Sequence, residues 1–149
     1  MPLAQSHQKQ EQPALELSQI PGVRILLVED EIMVAESLQE GLTKRGAEVT
    51  YFDHPMQALQ YIGENPEQVD VVLSDHGLPG MSGLELLGEV KLRYPRMHRI
   101  LISGWGTNLE DTSEAHSAER ILTKPVRVED IVRTIIEKSH KPNRKRGGK

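Results

Sequence analysis

The chain has 149 residues, no cysteine and a formal net charge of −4. That length fits one domain plus tails, and a domain of this size buries roughly 68–70% of its unfolded surface, enough for a core without staples. The lack of cysteine excludes disulfides, thiolate metal sites and cysteine nucleophiles. No apolar run approaches the ~20 residues of a membrane span, and the Gln-rich N-terminus lacks the apolar stretch of a secretory signal. A cytoplasmic location is the expectation. Residues 139–149 carry five basic side chains and no acid, which leaves −8 on residues 21–138. An acidic body argues against nucleic-acid binding by the body. The basic stretch reads as a solvated, disordered tail.

Residues 1–21 lack periodicity and contain Pro13 and Pro21; they read as a disordered leader or a linker. "VRILLV" (23–28) is a short apolar run followed by acids, which suits a buried parallel strand. From Glu31, apolar residues at Ile32, Val34, Ala35, Leu38 and Leu42 follow helical spacing until Gly46. "AEVTYF" (47–52) reads as a second strand. "PMQALQYIG" (55–63) reads as a short helix, with Pro55 in its first turn and Gly63 at its end. "VDVVLS" (69–74) is the third strand, "SGLELLGEVKLRY" (82–94) a helix stopped by Pro95, and "HRILIS" (98–103) the fourth strand. Residues 107–118 hold one large apolar side chain, Leu109, so a short or mobile element is expected there. "RILT" (120–123) is a brief fifth strand. "VEDIVRTIIEK" (128–138) is an amphipathic helix. Met33, Met81 and Met97 read as packing residues, and His76 as an exposed loop histidine.

Five alternations of strand and helix favour an open parallel sheet with helices on both faces, and such sheets place ligands beyond the carboxyl ends of their strands. The first strand ends at Glu29 and Asp30, the third at Asp75, the fourth at Ser103 and the fifth at Lys124. Two unit charges about 5 Å apart repel by roughly 3 kcal/mol at an effective dielectric of 20. Three carboxylates in one crevice therefore need a cation, or some stay protonated. The donor set is all oxygen, which points to a hard ion such as Mg²⁺ or Mn²⁺; Gly77 offers a backbone carbonyl to it. Acids around a metal, beside a lysine and a hydroxyl, form a phosphoryl-transfer constellation in which an aspartate is the nucleophile. Ser103 would donate a hydrogen bond to the phosphoryl group, and Gly104 leaves room for a bulky donor.

Four pieces, "LLVEDE" (26–31), "VVLSDHGLPGMSGLEL" (71–86), "ILISG" (100–104) and "LTKP" (122–125), stand in an order and at spacings that resemble the receiver domain of bacterial two-component response regulators. The resemblance covers about residues 23–138, and the receiver is placed at 22–138. It implies a flavodoxin-like α/β fold, a doubly wound (βα)5 unit with a parallel five-stranded sheet of order 2-1-3-4-5. It implies phosphorylation on an aspartate by the phosphohistidine of a histidine kinase or a histidine phosphotransfer protein. Carried onto this chain, the phosphoacceptor is Asp75, the metal ligands are Glu29, Asp30, Asp75 and the Gly77 carbonyl, and the phosphoryl-binding residues are Ser103 and Lys124. The peptide bond before Pro125 is expected in the cis form common in the family. Many receivers carry an aromatic residue three positions before the lysine; here Ile121 stands there. Phosphorylation is therefore expected to change the order of residues 105–119 more than it rotates a ring; Trp105 is a candidate lid over the site, the alternative being a partly exposed Trp that packs on the loop.

Other functions fit less well. Phosphatases that form an aspartyl phosphate pair the nucleophile with a second Asp two residues on, where this chain has Gly77. Nucleotide binding lacks a G-x-x-x-x-G-K-[ST] loop, and the first strand–helix turn, "VEDEI", is acidic where phosphates need amides. A constitutive interaction module is at odds with the intact Asp75, Lys124 and acid pair. The expected role is a switch that signals by protein contact, without a DNA-binding output domain. The alternatives are a phosphorelay or phosphate-sink receiver cut from a hybrid histidine kinase, or a constitutive interaction module with weak switching, which Ile121 keeps open.

Overall fold

A computed structural model of the chain describes residues 18–104 and 113–140. Five parallel strands form one sheet in the order β2-β1-β3-β4-β5. The strands are β1 (Arg24–Val28), β2 (Glu48–Phe52), β3 (Val71–Asp75), β4 (His98–Ser103) and β5 (Arg120–Thr123). The helices are α1 (Ile32–Lys44), α2 (Pro55–Glu64), α3 (Gly83–Arg93) and α4 (Val128–His140). This is the doubly wound order expected from the resemblance.

The apolar runs of β1, β3 and β4 are continuous because both faces of the sheet are covered. Alternate residues feed two separate cores. Ile25, Leu27, Val71, Leu73, Ile100 and Ile102 pack with α1 and α4. Leu26, Val28, Val72 and Leu101 pack with α2 and α3. Helix α1 ends where Gly46 takes φ +99°, a left-handed conformation that costs a residue with a Cβ. Helix α2 runs one residue past Gly63 and is closed by Asn65, whose side-chain amide donates to the Tyr61 carbonyl at 3.1 Å. Gly63 is thus not its stop. Helix α3 starts with a reciprocal capping box, Ser82 and Glu85 each accepting the other's backbone N–H.

Two further expectations change on folding. Within the segment read as leader, Ile20 is buried in the α1/α4-side core, and its N–H donates to the Arg45 carbonyl at 2.8 Å. The packed unit therefore reaches back before residue 22, because an isolated apolar residue among polar ones shows no period. Met33 is 79% exposed on the first turn of α1, whereas Met97 is buried and Met81 packs against the α2/α3-side core. In the fourth crossover the described part is a 3-10 turn, Ser113–Ser117. The Trp105 lid and most of the fourth-crossover segment (residues 105–112), together with residues 1–17 and the tail from 141, lie outside the described residues. Among the described residues no helix is long and apolar enough to cross a membrane.

Arg99 ties that 3-10 turn to the sheet. It sits inside β4 and is only 5% exposed. Its guanidinium donates to the carbonyls of Ser117 (2.7 Å), Met97 (3.0 Å) and Pro95 (3.2 Å). Glu119 lies 3.8 Å away and also pairs with Lys138 at 2.9 Å. Removing a buried charged donor orphans several acceptors at once. Arg99→Ala is expected to lower stability by about 3 kcal/mol, read as a shifted urea midpoint at unchanged slope.

Candidate functional site

Strand register builds the site. Val28 lies beside Ser74, Asp75 beside Ile102, Ile102 beside Leu122, and Ser103 beside Thr123. The residues that leave these strands therefore emerge at one edge of the sheet. Asp75 is the last residue of β3 rather than the first beyond it, so its backbone is fixed by the ladder.

Lys124 Nζ contacts Asp75 Oδ1 at 2.8 Å. Burial disfavours the Lys124 charge, but the hydrogen bond that Lys124 donates to Asp75 and the charges of Asp75 and Glu29 outweigh it, and the pKa is raised. Glu29, Asp30 and Asp75 each bring a carboxylate oxygen within 4.8 Å of the others; Glu29 and Asp75 are buried and Asp30 is exposed. Glu29 is held from two directions. Its Oε2 accepts the Glu31 N–H at 3.1 Å, and its carbonyl accepts the Tyr51 hydroxyl at 2.8 Å. Its other oxygen, Oε1, is buried with no hydrogen-bond partner. Desolvation dominates, and the carboxyl is pushed up to about 7.

A buried carboxylate oxygen without a hydrogen-bond partner, on one of three clustered carboxylates, leaves a group that could hold a cation. The donor set of hard oxygens fits Mg²⁺ or Mn²⁺. Gly77 lies in the loop after β3, and the position a Cβ would take there is 3.9 Å from Asp75 Oδ2. Its backbone thus passes beside the acceptor.

Asp75, Glu29, Asp30 and Lys124 are brought together as the residue pattern led one to expect. Ser103 is buried at the end of β4, and its carbonyl accepts the Lys124 N–H at 2.9 Å. Gly104 follows, half-buried. Lys124–Pro125 is cis. Ile121 packs against the α2/α3-side core. His76 departs from expectation: it is half-buried, and its Nδ1 is enclosed without a partner. Tyr51 escaped the sequence reading because nothing in β2 announces contact with β1's end. A cavity of about 590 Å³ opens beside Lys124, floored by Val34, Leu38, Ile102 and Val126.

The family model for the response regulator receiver domain matches residues 25–136. Response regulator receiver protein CpdR of Brucella abortus is 32% identical over 113 residues, covering 75% of this chain and 92% of that protein. Two-component response regulator EHD1 of Oryza sativa subsp. indica is 32% identical over 110 residues, covering 74% of this chain but 32% of that protein. The chain thus spans about a third of the rice regulator's length. Among solved structures, a response regulator receiver domain protein from Clostridium thermocellum superposes with TM-score 0.71 at 29% identity, over 77% of this chain and 92% of that one. Chemotaxis response regulator CheY4 of Vibrio cholerae superposes with TM-score 0.69 at 25% identity, over 78% and 98%. With the five-stranded order and the strand-end acids in place, this chain belongs to the response regulator receiver domain family of two-component signalling.

Proposed function

We propose that this receiver is a phosphorylation switch that takes a phosphoryl group from the phosphohistidine of a histidine kinase or histidine phosphotransfer protein onto Asp75 and then signals by protein contact. The observation that carries the reading is the Asp75 carboxylate, ordered by the sheet, paired with Lys124 at 2.8 Å and set among two further acids. An Asp75 oxygen attacks phosphorus, the P–N bond breaks, and its electron pair leaves with the imidazole nitrogen. Lys124 neutralises charge on the acceptor and on the phosphoryl oxygens as they crowd together. The Ser103 hydroxyl donates to the transferred group. Glu29, Asp30, Asp75 and the Gly77 carbonyl would hold Mg²⁺, which supplies charge neutralisation for the phosphoryl oxygens. Ile32 and Met33, 59% and 79% exposed just after the acid pair, give an incoming donor protein apolar contact beside the crevice.

Incubation with Mg²⁺ and acetyl phosphate is expected to add the mass of one phosphoryl group to the intact protein, and EDTA is expected to prevent it. A chain that neither gains this mass nor changes its amide spectrum with Mg²⁺ and beryllofluoride would be a receiver fold without the switch.

A further inference from the structure

Helix α3 begins close to the acceptor. Gly83 is its first residue and is buried. A Cβ built there would collide with the Asp75 carbonyl oxygen, and would stand 2.7 Å from Leu101 Cδ1 and 2.9 Å from His76 Cα. Two of these three neighbours are backbone atoms, which cannot rotate aside. The same Asp75 carbonyl accepts the Ser74 hydroxyl at 2.8 Å. One residue on, the His76 carbonyl accepts both the Leu78 N–H at 3.1 Å and the Gly83 N–H at 2.8 Å. The loop that carries Gly77 is therefore closed at its base by Gly83, and the capping box at Ser82 anchors the other side.

We infer that Gly83 is a positioning residue for the metal and phosphoryl site: its bare Cα sets how closely α3 approaches β3, and so sets the Asp75 backbone and the Gly77 carbonyl together. The hydroxyl of Ser74 holds the same carbonyl from its own strand. This inference rests on the metal-dependent acceptor reading of Asp75. A methyl at residue 83 must displace either α3 or the end of β3. The helix is held by its capping box and by buried Leu84, Leu86 and Leu87. The loop that follows Asp75, which reaches solvent at Gly77, yields first and takes the Asp75 carbonyl and the Gly77 carbonyl with it. Displacements near 1 Å are enough to cost about 10²-fold in reactions that depend on alignment.

The test is a Mg²⁺ titration followed by amide NMR, with thermal unfolding in EDTA, on the unaltered protein, Gly83→Ala, Ser74→Ala and Gly88→Ala. Gly88 lies on the same helix, and its added methyl meets only the Ser117 side chain, 3.1 Å from Oγ. Gly83→Ala is expected to weaken Mg²⁺ binding at least 10-fold and to slow acetyl phosphate uptake about 100-fold. Gly88→Ala is expected to keep the affinity of the unaltered chain. Ser74→Ala is expected to weaken Mg²⁺ about 3-fold with the fold intact, and it decides the matter if Gly83→Ala fails to fold. Unchanged Mg²⁺ affinity in a folded Gly83→Ala, whatever its melting temperature, overturns the inference; so does unchanged affinity in Ser74→Ala where that variant decides. An unaltered protein that does not bind Mg²⁺ overturns instead the reading of the site on which it rests.

Discussion

Asp75→Asn is expected to abolish phosphoryl uptake from acetyl phosphate while the protein keeps its fold. The substitution conserves volume at a position that is 5% exposed, so the packing around β3 survives. An amide oxygen is a poor nucleophile, and an acyl phosphate cannot form on it without losing nitrogen. The rate is expected to fall at least about 10³-fold, equivalent to ~4 kcal/mol of barrier. Lys124→Ala should behave differently: the nucleophile remains, and the loss is limited to charge stabilisation, about 10²-fold. Intact mass against time separates the two. Phosphoryl uptake by Asp75→Asn at the rate of the unaltered protein would move the acceptor elsewhere.

Glu29→Gln is expected to stabilise the metal-free protein at neutral and alkaline pH while removing most of its affinity for Mg²⁺. The Glu29 carboxyl is raised from 4.5 to about 7 by burial. Between those values the folded protein binds more protons than the unfolded chain, so this group makes stability fall as pH rises from 4.5 to about 7. The full shift corresponds to at most about 3 kcal/mol. His98 works in the opposite sense. Burial, only partly countered by Glu119, pushes it down to about 4. Between about 4 and 6.5 the unfolded chain binds the extra proton, and stability rises with pH. The two windows overlap, so the profile of the unaltered protein is expected to be nearly flat from pH 4.5 to 6.5 in EDTA. The difference between Glu29→Gln and the unaltered protein isolates Glu29: near zero at pH 4.5, it should grow to as much as about 3 kcal/mol at pH 8 in urea unfolding. Saturating Mg²⁺ should then stabilise the unaltered protein and not the variant. A difference that stays constant with pH would mean that Glu29 is ionised as freely as in water.

The paired effect has a physical sense. A buried carboxylate with one oxygen unpaired by the protein is poor for stability and good for binding a cation, since no protein partner has to be displaced. Pairing that oxygen inside the protein would favour the empty site.

Residue type and order alone were enough to gather the candidate site residues. Acids at Glu29–Asp30 and Asp75 and an ammonium at Lys124 each end an apolar run, and five alternating strands and helices place such ends on one edge. Strand boundaries came within a residue or two, because runs such as "HRILIS" are bounded by residues that stop them. What was not legible depended on contacts between distant segments. Ile20 gains a partner only when Arg45 arrives beside it, and the role of Arg99 within "HRILIS" emerges only when three carbonyls converge on it. Gly83 looks like one of several loop glycines until β3 is laid against α3, when the space for a side chain disappears. The orphaned oxygen of Glu29 is likewise a property of enclosure, not of composition. Local pattern determined which residues could do the work; the close approach of elements far apart in the chain decided how buried, how charged and how tightly placed each of them is.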